Sequence, residues 1–232
     1  MTKGIFKAFE VSEDEVGRLG PTDLVMLIKR LVEADLQQWG APLSAVQGTL
    51  KINLPDGGED LSVAWSQPSS KPGVTDHYFT VFQMKAEKLT DAKLRSEPIE
   101  ANGKRLKPAV AEVLARRGTY IIVTSKTNLT TPKKGSKVTR RTEVRSLLRS
   151  AIRNIDERVD HARLDVYGPV KIAGWVNAQL MVAVWMKQLL GQASADFAFQ
   201  TMENWSSYRD RRMHLCRGLH SAANRTRYSS HC

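Results

Sequence analysis

Cysteine is nearly absent from this 232-residue chain: Cys216 and Cys232 both fall in the last 17 residues, so no disulfide framework is expected to staple the fold. Aromatic residues make up 7%. No apolar run approaches the roughly 18 to 20 residues needed to span a bilayer. The opening MTKGIFKAFEVSEDE lacks the apolar stretch and small-residue cleavage site of a signal peptide. These absences lead to the expectation of a soluble, cytoplasmic protein with no membrane partner.

The composition is otherwise that of a globular chain, 41% hydrophobic and 25% charged, which excludes disorder throughout. Thirty-five Lys and Arg against 24 Asp and Glu give a net charge of +11, which points to a polyanionic partner, nucleic acid first. The charge is unevenly placed. Residues 1–60 carry ten acids and six bases, and residues 126–158 carry ten bases and three acids. An acidic cluster before a basic face suits an enzyme that holds a cation among carboxylates and an anionic substrate nearby.

Pro21-Thr22-Asp23 and the following LVMLIKRLVEADLQQWG predict a helix stopped by Gly40. Leu24, Leu27, Ile28, Leu31, Val32 and Trp39 share its apolar face, and Asp35 points into that stripe, where a carboxylate needs a partner, a metal or a pocket rim. Residues 46–54 alternate as a half-buried strand, Pro55-Asp56-Gly57-Gly58 turns the chain, and residues 60–65 return as a second strand. Residues 78–85 predict a third strand, 106–117 a helix ending at Gly118, and 119–124 (TYIIVT) a buried central strand. An Arg-rich helix or helix pair is expected over 138–159, a short strand over 163–167, and helices over 170–180 and 181–190. The fold class expected is α/β: a helix, a three-strand meander, a helix and a strand, with C-terminal helices.

Three elements then converge. Asp60 opens the second strand, while Gln83 and Lys85, two apart, emerge on one face of the third. If the first helix packs across this sheet, Asp35 approaches the same point. Two carboxylates and an amide oxygen are hard ligands for Mg²⁺, with Mn²⁺ as a substitute. Such a cation eases deprotonation of an attacking water, and a nearby lysine orients that water or offsets charge on a phosphodiester. On the Arg-rich helix, Arg141, Arg145, Arg149 and Arg153 recur at i+4 beside Arg140 and would line one face as a rail for DNA phosphates. Ser125-Lys126, at the end of the buried strand, extends the expected site toward phosphate. His214, Cys216 and His220 fit no standard zinc spacing.

The stretch PDGGEDLSV followed by FQMK resembles the PD-(D/E)xK nuclease superfamily, in the branch with GGxD and QxK that includes Mrr-like restriction endonucleases. The resemblance implies a restriction-endonuclease-like core with Asp60 as metal-binding aspartate, Gln83 in the Glu-or-Gln position, Lys85 as catalytic lysine and Asp35 as the acid of the first helix. Asp56, inside the turn, does not match the family's aspartate. The stretches RGTYIIVTSKTNLT, IAGWVNAQLMVAVWMKQLLG and ENWSSY are similar to N-terminal nuclease effector domains of bacterial antiphage STAND NTPase proteins. In those proteins a regulatory NTPase module follows, but no G-x-x-x-x-G-K-[ST] occurs here. The likeness covers roughly residues 20–208, and a truncation or shifted reading frame would produce the departure after it.

The organisation expected is an N-terminal extension (1–19), a nuclease domain (20–191), and a linker with a basic, poorly ordered tail (192–232). The expected function is Mg²⁺-dependent endonucleolytic cleavage of DNA in antiphage or anti-plasmid defence. The alternatives are a catalytically inactive nuclease-fold module that binds DNA or a partner, and an RNase. Missing regulation and exposed apolar residues near Trp175, Val182, Trp185 and Met186 lead to the expectation of weakly active monomers or loose dimers, so a second copy of the chain joins DNA as an expected partner.

Overall fold

In the computed structural model, residues 9–48, 60–65, 79–132, 134–135 and 137–192 are described. Asp56, the second half of the expected first strand, His214, Cys216, His220 and nearly all of the expected tail lie outside them. The chain divides into two compact units, Glu10–Ala183 and a smaller one of Met1–Phe9 with Val184–Cys232.

The larger unit is α/β, built on a five-stranded mixed sheet in the order β1-β2-β3-β4-β5. The strands are β1 (Val46–Gly48), β2 (Leu61–Ala64), β3 (Phe79–Lys85), β4 (Thr119–Thr124) and β5 (Arg163–Tyr167). β1, β2 and β3 pair antiparallel as the expected meander, and β3, β4 and β5 run parallel. All six residues of β4 are buried, as a doubly covered central strand requires. The helices are α1 (Glu13–Gly17), α2 (Pro21–Trp39), α3 (Asp91–Ser96), α4 (Pro108–Ala115), α5 (Arg140–Arg153), α6 (Pro169–Ala178) and α7 (Leu180–Leu189), with 3₁₀ turns at Leu43–Ala45 and Glu157–His161. Among the described residues no helix is long and apolar enough to cross a membrane.

The crossovers from β3 to β4 and from β4 to β5 step the same way across the sheet, so right-handed connections must lie on one face. They do: Leu94 of α3, Val110 and Val113 of α4, and Val144, Leu148 and Ile152 of α5 form one core with Val81, Ile122, Leu164 and Val166. Each of those strand side chains removed from water contributes roughly 1.5 to 3 kcal/mol. The alternate strand positions Phe82, Ile121 and Val123 are fully buried outside that core, on the opposite face, where α2 packs against β3. Gly118 is required between α4 and β4, because a Cβ there would stand 2.4 Å from the Phe79 carbonyl oxygen. Gly40 ends α2 with φ 71°, the left-handed cap that glycine adopts without strain.

Three features qualify what the sequence led to expect. The segment set aside as an N-terminal extension contains α1, opened by a capping box in which Ser12 N donates to Glu15 Oε2 (2.8 Å) and Glu15 N donates to Ser12 Oγ (3.2 Å). It is tied to α6 by Asn177, which accepts from Val11 N (2.7 Å) and donates to Val11 O (2.9 Å). α3 has no counterpart among the elements expected from the sequence. In the stretch expected to expose apolar residues, Trp175, Val182 and Met186 are buried and Trp185 is half-buried, while Val170, Met181 and Leu189 are exposed. Trp175 meets Tyr167 edge to face, ring centroids 6.4 Å apart, so its apolar area serves the core.

Candidate functional site

Asp60 stands immediately before β2, its backbone N donating to Phe82 O at 3.1 Å. The antiparallel register continues from Leu61 opposite Phe82, so Asp60 falls opposite Gln83. Asp60 Oδ2 accepts from Gln83 Nε2 at 2.8 Å and from the Met84 backbone N at 2.5 Å. Both side chains are buried. With Nε2 committed to Asp60, Gln83 Oε1 is buried with no hydrogen-bond partner among the described residues. A buried acceptor without a donor costs roughly 1 to 3 kcal/mol, which makes it a place where an added donor or cation is favoured.

Lys85 ends β3 on the same face as Gln83. Its Nζ lies 3.0 Å from Glu97 Oε1, and Lys107 Nζ lies 2.8 Å from that same oxygen. Glu97 caps the C-terminus of α3, so this carboxylate was out of reach of sequence reasoning that had no α3. The signal was present: Thr90 before Asp91 is an N-cap, its hydroxyl accepting from Lys93 N, and Pro98 follows the helix end. Beside Lys85 on β4, the Ser125 backbone N donates to Lys85 O at 3.4 Å. Ser125 is wholly buried with Oγ unpartnered, while Lys126 is exposed.

Asp35 makes no hydrogen bond to Asp60, Gln83 or Lys85 among the described residues: its Oδ2 accepts from Trp175 Nε1 (3.1 Å) and its Oδ1 from Gln179 Nε2 (2.8 Å). Burial raises its pKa, and the two hydrogen bonds offset part of that rise. The buried carboxylate thus has the partners it needs, an indole of α6 and the amide of the residue that follows α6. Among the described residues no group of three or more His, Cys, Asp or Glu gathers as a metal-ligating cluster.

Each arginine of the basic row has an internal partner. Arg141 grips Asp165 on β5 with two bonds, Nε to Oδ1 at 2.9 Å and Nη2 to Oδ2 at 2.5 Å. Arg145 Nε donates to Leu164 O at 3.1 Å, Arg149 Nη1 to Val159 O at 2.8 Å, and Arg153 pairs with Asp160. Arg140 is buried and pairs with Asp91 and Glu143. β5 ends the sheet, and edge carbonyls left bare invite foreign pairing. The row therefore fastens α5 along the edge strand. Arg145 is nonetheless exposed, and Arg141, Arg149 and Arg153 retain 37%, 35% and 53% of side-chain exposure, which leaves them area for a second contact.

Comparisons of the chain with protein-family models, with curated proteins and with solved structures return no match.

Proposed function

We propose that this chain is a Mg²⁺-dependent endonuclease that hydrolyses DNA phosphodiester bonds, on a restriction-endonuclease-like core, in antiphage or anti-plasmid defence. The observation that carries the reading is Gln83: its amide nitrogen is spent on Asp60 and its oxygen is buried without a donor, with Lys85 two residues on along the same strand face. A carboxylate and an amide oxygen fit a hard cation, which usually takes one or two carboxylates and completes its shell with water and phosphate oxygens. Asp60 and Gln83 would hold it. When bound, the cation supplies charge neutralisation at the phosphate and a more acidic water.

The chain's own residues do the rest. Asp60, fixed by the Met84 amide and Gln83, presents its carboxylate at the rim of the sheet. Lys85 carries the ammonium that orients water or offsets charge on the phosphate. Glu97 holds that ammonium, and Lys107, on the same carboxylate oxygen, keeps Glu97 paired when Lys85 turns to substrate. Lys126 and the remaining exposed area of the arginine row meet the DNA backbone.

The test is cleavage by the purified chain of supercoiled, linear and single-stranded DNA and of RNA, with and without Mg²⁺. Mg²⁺-dependent nicking of DNA is the expected result. Cleavage of RNA alone would make the enzyme an RNase, and no cleavage of any substrate would sink the reading.

One observation favours a second reading, an inactive module of the same fold that binds DNA or a partner. Asp35 is engaged by Trp175 and Gln179, and Glu97 by Lys85 and Lys107, which leaves Asp60 as the carboxylate bonded to Gln83. Calorimetric titration with Mg²⁺ and Mn²⁺ separates the two: no binding at millimolar metal with DNA affinity retained selects the module.

A further inference from the structure

We propose that Lys171 and Arg145, backed by Arg141 and Arg163, form a phosphate-binding site at the β5 edge of the sheet. Lys171 Nζ sits 3.5 Å from the centroid of the Tyr167 ring and 4.0 Å from Asp165 Oδ2, and it has no hydrogen-bond acceptor among the described residues. Asp165 is bonded first to other groups: its Oδ1 takes Arg141 Nε and the Val166 backbone N (2.8 Å), and its Oδ2 takes Arg141 Nη2, so Lys171 has it only as a longer ion-pair partner. Arg145 spends Nε on Leu164 O, and its two terminal nitrogens have no acceptor among the described residues. Arg141 and Lys171 thus share one carboxylate, and desolvation followed by the field of Arg141, with Arg163 and Arg145 adding to it, pulls the Lys171 amine down to about 8.

A half-buried ammonium with unused donors, in a field of like charge, calls for an anion. The excess of cations over Asp165 and the donors arriving from two helices suit the several oxygens of a phosphate better than a single carboxylate. The position also fits. β3, β4 and β5 are parallel, so Lys85, Lys126 and the Tyr167–Lys171 stretch all follow the carboxyl ends of their strands, where α/β sheets bind ligands. At about 4.8 Å per strand, the end of β5 lies roughly 10 Å from that of β3. A nucleic-acid strand engaged at Lys85 would cross the end of β4 at Lys126 and set a flanking phosphodiester here. The identity of that strand rests on the proposed function, but the site itself does not.

The experiment uses the full chain with isotope-labelled lysine side chains, the Lys171 signal being assigned by its loss in K171R. Titration with inorganic phosphate, and separately with a single-stranded oligonucleotide in the absence of divalent metal, should raise the pH at which Lys171 loses its proton. A rise with the oligonucleotide makes the ligand a strand phosphodiester, and a rise with inorganic phosphate alone makes it a free phosphate; both support the site. No rise with either overturns it. In oligonucleotide binding, K171Q should also make the plot of log affinity against log salt less steep by about 1, with K171R restoring it. A Lys171 response in a chain that cleaves nothing would sink the nuclease reading and leave this site standing.

Discussion

The two ends of the sheet handle charge in opposite ways. At the β2–β3 end, Asp60, Gln83 and Lys85 meet with an acceptor left over, since Gln83 Oε1 has no donor. At the β5 end, the Asp165 carboxylate takes Arg141 and a backbone amide, and the other arginines of α5 close on strand carbonyls and on Asp160. A group left incomplete is placed to take a ligand, whereas one satisfied from within is placed to hold structure. Similar residue types therefore leave an open acceptor at one end and fasten the fold at the other, and Lys171, short of a close acceptor among the described residues, is the exception at the second.

The sharpest way to break this comparison is Lys85→Ala. Cleavage of plasmid DNA in Mg²⁺ should fall by about 10² or more, the range in which positioned proton-transfer and charge-stabilising groups act, with duplex affinity retained. Nicking at the wild-type rate would show that the incomplete end is not the reactive one.

At the saturated end, Asp165→Ala should act on stability. It removes a carboxylate that is 2% exposed and leaves Arg141 without its bidentate partner, so urea unfolding should show a loss of about 3 kcal/mol. A loss below the measurement error would mean that α5 is held by its apolar face alone.

Arg153→Ala, where 53% of the side chain is exposed, should cost no more than about 1 kcal/mol, because surface pairs contribute little. Its effect on duplex binding should be a less steep salt dependence if the row also touches DNA.

The smallest effect is expected at Asp35, where burial raises the pKa. An acid with a raised folded-state pKa stabilises the fold while protonated, and that stability is lost as pH rises from the ordinary carboxylate value of 3.8 through the folded value. Asp35→Asn keeps an acceptor for Trp175 without the charge. It should be slightly more stable than the parent at pH 7, and the difference should vanish toward pH 3.8 in thermal melts. A less stable variant at pH 7 would mean that ionised Asp35 has a cationic or metal partner.

Much of the fold was legible because its signals are local. The aromatic and β-branched residues of FTVFQMK, the unbroken apolar TYIIVT and the Pro21 and Gly40 punctuation of α2 each depend on near neighbours, and each element formed where expected. The pairing of Asp60 with Gln83 was legible for the same reason, since a meander of adjacent strands leaves little choice of register. α3 was missed because six residues with one buried side chain, Leu94, carry almost no periodicity. With it went Glu97.

By itself, then, the sequence determined the strands, the long helices and the face shared by Gln83 and Lys85, because periodicity and register act over a few residues. Only the tertiary structure decided that Asp35 meets Trp175 and Gln179, 140 and 144 positions away. The same holds for the arginine row. Its i+4 spacing dictates a common helix face, but whether that face looks to solvent or to the edge of β5 depends on where the crossover lands, and packing over the whole sheet settles that.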